Sequence, residues 1–130
     1  MIVRFTESSI EPKTIYDLFA EDEPGNVGSV LLHYAVVKVQ KEGGRKTTGI
    51  AFAAKGDVEA ELKGIAREMK QRWTLNEVVL LRRQGEVGVG EIISLVAASS
   101  PNSQDVFAAC QYGIAALKKM TTIAKEEIYF

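Results

Sequence analysis

DVEAELKGIAREMKQRW, residues 57–73, decides how the rest of the chain is read. Val58, Leu62, Ile65, Met69 and Trp73 recur at helical spacing, and Glu59, Glu61, Lys63, Glu68 and Lys70 occupy the opposite face. Asp57 stands where an N-cap is wanted, because its carboxylate can accept from the free amides of the first helical turn. The segment is an amphipathic helix with one face to bury, and a buried face requires a layer of other elements to cover it.

Upstream, Gly28 to Gln40 is the longest β-branched and aromatic run in the chain, apolar at both alternating positions, which predicts a strand covered on both sides. Lys41-Glu42-Gly43-Gly44-Arg45-Lys46 has the glycines and charges of an exposed hairpin loop, and Thr47 to Ala54 is the returning strand. Further upstream, Ile2 to Thr6 is an edge strand. Pro12 opens a short helix to about Ala20, with Ile15, Leu18 and Phe19 inward, and Glu21 to Asn26 forms a loop.

Downstream, Val78 to Arg83 and Ile92 to Ala98 are strands separated by a loop with glycines at 85, 88 and 90. Ser99 to Ser103 is a turn that caps a second long helix. That helix runs to about Met120 with Val106, Cys110, Ile114 and Leu117 inward, and Thr121 to Phe130 is a terminal strand. Two-strand runs between helices predict an α+β fold: a mostly antiparallel sheet, two long amphipathic helices and a short N-terminal one. With no repeat, low-complexity tract or linker, residues 1–130 are expected to form a single domain.

Composition narrows function. Hydrophobic residues make up 46% and charged residues 25%, as in ordinary globular chains. Sixteen basic residues stand against seventeen acidic ones, which argues against a general nucleic-acid or membrane-surface binder. No apolar run approaches the roughly 18 to 20 residues that span a bilayer, and residues 1–12 lack the pattern of a signal peptide, so the expected location is the cytoplasm. One cysteine and one histidine exclude an internal disulfide and disfavour a structural zinc site.

Few residues suggest chemistry unaided. The glycines at 85, 88 and 90 precede a strand and no Gly-Lys-Ser/Thr follows, so they read as a turn rather than a phosphate loop. Cys110 falls on the apolar face of a helix, and His33 lies within an apolar strand, where a lone histidine is more often structural. Glu126 and Glu127 are adjacent in a strand and point to opposite faces. Lys118 and Lys119 close the second long helix, where cations complement its dipole, and Lys125 follows in the last strand.

A further pattern runs from Arg72 to Glu126: Arg72-Trp73-x-Leu75, Arg83-x-Gly85-Glu86, Gly90-Glu91, Phe107, Gln111, and Leu117-Lys118 followed after six residues by Lys125-Glu126. In this order the residues resemble the large, catalytic subunit family of molybdopterin synthase. The resemblance implies a sulfurtransferase of molybdenum cofactor biosynthesis. Sulfur would pass from the C-terminal thiocarboxylate of a small ubiquitin-like carrier subunit, ending in Gly-Gly, to cyclic pyranopterin monophosphate, giving molybdopterin. It also implies a homodimer of the large subunit and no metal or redox cofactor in the protein. Lys118 would be the principal catalytic residue and Lys125 its partner. Lys38 falls where the family carries an arginine for the anionic substrate, a replacement that keeps the charge and loses the bidentate fork.

Asn102 and Ser103 stand at the family's substrate-binding His-Arg pair, Thr122-Ile123-Ala124 replaces its Pro-x-Trp, and the basic tail of typical members has no counterpart after Phe130. Two alternatives follow: a diverged homologue that keeps the fold as a binding module, and a small-ligand-binding regulatory domain. The synthase reading requires a groove leading to Lys118 and Lys125. The regulatory reading requires those lysines to be far apart and fully solvated.

Overall fold

The computed structural model describes residues 1–21 and 28–129. In chain order the elements are β1 (Ile2–Thr6), α1 (Pro12–Glu21), β2 (Ser29–Val36), β3 (Lys41–Glu42), β4 (Arg45–Ala54), α2 (Val58–Arg72), β5 (Glu77–Arg83), β6 (Gly85–Gly88), β7 (Ile92–Ser100), α3 (Ser103–Lys118) and β8 (Ile123–Tyr129). The fold is α+β and mostly antiparallel, as expected, but its strands divide into two sheets. One has the order β1-β5-β7-β2; the other has β4 between β6 and β8, with β3 as a hairpin on its start. Among the described residues β1 and β5 form the one parallel pair. The loop expected at Glu21 to Asn26 lies, after Glu21, outside the described residues, as does Phe130 at the end of the expected terminal strand.

Period-two alternation sorts the first sheet. Val78, Leu80, Val96 and Ala98 face α2 and α3, while Val79, Leu81, Leu95 and Ala97 face α1 through Ile10, Ile15 and Phe19. α2 buries Val58, Leu62, Ala66 and Met69, and α3 buries Val106, Ala109, Cys110 and Leu117. Each such apolar side chain contributes roughly 1.5 to 3 kcal/mol on leaving water. Asp57 caps α2 as expected, accepting from the Ala60 amide at 3.0 Å, and within the segment expected to cap α3 the capping residue is Asn102, which accepts from the Gln104 amide at 2.9 Å.

Three expectations are corrected. The long strand from Gly28 ends at Val36 instead of Gln40, and it is not covered on both sides: Val30, Tyr34 and Val36 are exposed. The register slips after Ala35, and Val37 turns away to be buried beside Ile50, Phe52 and Val87, so the run serves two layers rather than one long strand. Next, the glycine-marked loop contains β6, which pairs with β4 through Gly49–Phe52. Gly85 and Gly90, at φ of 88° and 89°, supply the left-handed turns on either side of it. Finally, Ser99 and Ser100 remain in β7 rather than in a turn. They are buried because Ser99 Oγ accepts from the Glu77 amide at 3.2 Å and Ser100 Oγ donates to the Thr74 carbonyl at 2.6 Å.

Candidate active site

Where α3 ends, the first sheet continues past it. Arg82, Ser94 and Ala35 form the next cross-strand row beyond Leu80, Val96 and His33, on the same face. Among the described residues α3 stops at the edge of this row, with Ile114, Leu117 and Lys118 beside it. The second sheet folds over, and the space left between the sheets and the C-terminal end of α3 is a cavity of about 580 Å³. Ile50 and Phe52 of β4, Val96 of β7, Ile114 and Leu117 of α3 and Ile123 of β8 make its walls apolar.

Onto these walls converge three cations. Lys118 comes from the last turn of α3, Lys125 from β8, and Arg82 from β5, with His33 and Ser94 beside them. Among the described residues, none that lines the cavity is acidic. Both lysines are exposed along the lining, whereas Arg82 is mostly buried. Burial pulls the Arg82 guanidinium below its ordinary value. A guanidinium does not give up its proton in a protein, so this burial amounts to an unmet demand for an anion. Its Nε is buried without a hydrogen-bond partner, and its Cζ lies 5.1 Å from the centre of the Phe52 ring. A concave, largely apolar site with a few convergent cations is the arrangement that holds an anionic ligand.

The turn between the two lysines is held by Glu61, from the polar face of α2. Its carboxylate accepts from the amides of Thr121 and Thr122 at 3.1 Å each and from the Thr122 hydroxyl at 2.6 Å. Desolvation alone would raise its pKa. The hydrogen bonds from Thr122 and Thr121 together outweigh that effect and hold the carboxyl below its usual value.

Of the residues singled out from sequence, Lys118 and Lys125 meet at the cavity, and Lys38, Asn102 and Ser103 do not. Lys38 is exposed beyond the end of β2. Asn102 is the N-cap of α3, and the Ser103 hydroxyl lies 2.6 Å from that of Ser29. The sixteen residues of α3 put this end about 24 Å from Lys118. Sequence reasoning passed over Arg82 and Glu61 and took His33 as structural. The signal for Arg82 was its parity with Val78 and Leu80, which points it inward. Cys110 is buried and its thiol is pushed up to about 11 by desolvation, which leaves it a packing residue. Among the described residues no cluster of His, Cys, Asp and Glu is arranged to hold a metal ion, and no helix is long and apolar enough to cross a membrane.

Fold and cavity together define a class: an α+β protein with an anion-seeking pocket between two sheets. Comparison with known proteins makes that class specific. The family model described as MoaE protein matches residues 5–120, and the chain belongs to this family. It is 29% identical over 118 residues to the molybdopterin synthase catalytic subunit of Nostoc sp., covering 89% of this chain and 71% of that one. It is also 26% identical over 126 residues to the Thermoplasma volcanium catalytic subunit, covering 97% and 90%. The fold matches the crystal structure of molybdopterin synthase from Staphylococcus aureus with a TM-score of 0.83 at 23% identity, covering 99% and 90%. It matches a Helicobacter pylori complex of subunits 1 and 2 of molybdopterin-converting factor with a TM-score of 0.73 at 17% identity, covering 97% and 82%.

Proposed function

We propose that this chain is the catalytic subunit of a molybdopterin synthase, transferring sulfur from the thiocarboxylate tail of a small ubiquitin-like subunit to cyclic pyranopterin monophosphate. The observation that carries the proposal is the convergence of Lys118, Lys125 and Arg82 on one apolar-walled cavity with no carboxylate among the described lining residues. Both reactants are anionic where they must be held, one at its phosphate and the other at its thiocarboxylate. Cations fixed in a low-dielectric site stabilise such charge more than the same cations in water. Lys118, presented by the end of α3, is the principal catalytic residue, and Lys125 on β8 is its partner. The relatives named as catalytic subunits and the two-subunit complex from Helicobacter pylori support a small-subunit partner for this chain.

A homodimer is part of the same proposal. β2 is an edge strand, and Val30, Tyr34 and Val36 leave one of its faces apolar and uncovered. Antiparallel pairing of two β2 edges about a two-fold axis would set the Ser29 end of one copy beside the Val36 end of the other. That would carry Asn102 and Ser103, which sit at the Ser29 end, towards the cavity of the second copy.

The test is sulfur transfer itself: purified protein, thiocarboxylated small subunit and cyclic pyranopterin monophosphate, with formation of the dithiolene product followed. Product supports the proposal. A folded protein that binds the small subunit and yields no product contradicts it and favours the diverged binding module.

A further inference from the structure

Two arginines end β5, and their surroundings differ. Each has a buried Nε without a hydrogen-bond partner, but Arg83 is 7% exposed and has a carboxylate nearby, with Nη1 3.9 Å from Glu91 Oε1. Arg82 points to the opposite face of the sheet, into the cavity, where none of the described lining residues is acidic. Phe52 supports one side of its guanidinium, Ser94 is its cross-strand neighbour, and its Nε–H has no acceptor. A buried arginine that served packing alone would be expected to satisfy its donors on nearby carbonyls or carboxylates, since leaving them unmet is unfavourable. Arg82 lines the volume a ligand would occupy.

We propose that Arg82 is the anion-holding residue of this cavity, gripping a terminal oxyanion of the reactants with its planar fork. In doing so it supplies positive charge that Asn102 and Ser103 cannot. The oxyanion is a phosphate ester or a C-terminal carboxylate or thiocarboxylate: the first two present a pair of oxygens that a guanidinium can bridge, and the thiocarboxylate presents one oxygen beside its sulfur. The inference rests on the synthase reading for the identity of the reactants, and on the geometry alone for the anion. Lys118 and Lys125 are the exposed cations of the lining, and Arg82 is the mostly buried one.

The experiment follows the Arg82 Nε–H resonance, assigned by its loss in Arg82→Lys, while inorganic phosphate, N-acetyl-Gly-Gly or its C-terminal amide is added to the full chain. A saturable shift with phosphate, with the free carboxylate or with both, absent with the amide, is the expected result, and the probe that acts identifies the source of the oxyanion. Arg82→Gln should weaken that binding at least tenfold, and Arg82→Lys by less, with thermal unfolding confirming that both variants fold. The proposal is overturned if no probe moves the resonance, if the amide acts as well as the anions, or if Arg82→Gln binds as the wild type does. Anion binding at Arg82 without any sulfur transfer would sustain the proposal and defeat the synthase reading. Sulfur transfer with unchanged kcat and KM in Arg82→Gln would do the reverse.

Discussion

Removing the Glu61 carboxylate should loosen the turn that spaces the two lysines. In Glu61→Ala the amides of Thr121 and Thr122 and the Thr122 hydroxyl lose their acceptor. Hydrogen bonds to a charged group are worth about 1.5 to 3 kcal/mol each when shielded. Glu61 is only half-buried and water can replace it, so the whole clasp is taken as about 1 to 2 kcal/mol. Glu61→Gln retains one acceptor oxygen and should lose about half as much. The folded-state pKa of Glu61 lies below the ordinary value, so its contribution is fully present above the unfolded pKa and is lost as pH falls through the folded one. Urea denaturation should therefore show a gap between wild type and Glu61→Ala that is constant from pH 6 to 8 and closes in acid, beginning below the ordinary value of 4.5. Turnover in Glu61→Ala should fall about tenfold, because misplacing a catalytic group by even an ångström is costly. A variant with wild-type denaturation midpoint and turnover, or a gap that persists unchanged in acid, would refute the reasoning.

Other consequences are more local. Met69 is fully buried between α2 and α3, its Sδ 3.1 Å from where a Cβ on Gly113 would lie, so Met69→Ala should cost roughly 2 to 5 kcal/mol by denaturant titration. A loss no larger than that of a surface substitution would contradict the assignment of the α2 core face. Tyr34→Glu should place a charge in the uncovered face of β2 and shift a dimer towards monomer in light scattering, and an unchanged mass would move the dimer contact elsewhere.

The helices were legible because their signals are local. Asp57 and Asn102 cap as their side-chain chemistry dictates, and the apolar positions of α2 face inward at the spacing that defines a helix. The hairpin at Gly43-Gly44 was equally readable, since two glycines between paired strands have few other uses. β6 was hidden because its four residues carry little strand propensity. It is a strand because β4 lies alongside it, a contact spanning some forty residues of sequence. β2 misled because an apolar run reports burial without saying by how many layers. Val37 belongs to a different cluster from Leu31 and Leu32 although nothing between them marks the change.

The site divides in the same way. Lys118 and Lys125 were singled out through the family resemblance, and the structure places both along one cavity. Arg82 and His33 needed the register with β7 before their direction could be known, and Glu61 needed the tertiary approach of α2 to the end of α3. Asn102 and Ser103 belong to the opposite end of that helix, a separation that linear sequence conceals because the intervening residues form one rigid rod.

The most direct test of the account is the sulfur-transfer reaction run with wild type and Lys118→Ala in parallel, both shown to be folded and to bind the small subunit. The account predicts dithiolene product from the wild type and a loss of at least a hundredfold in the variant. Wild-type turnover in Lys118→Ala would contradict it.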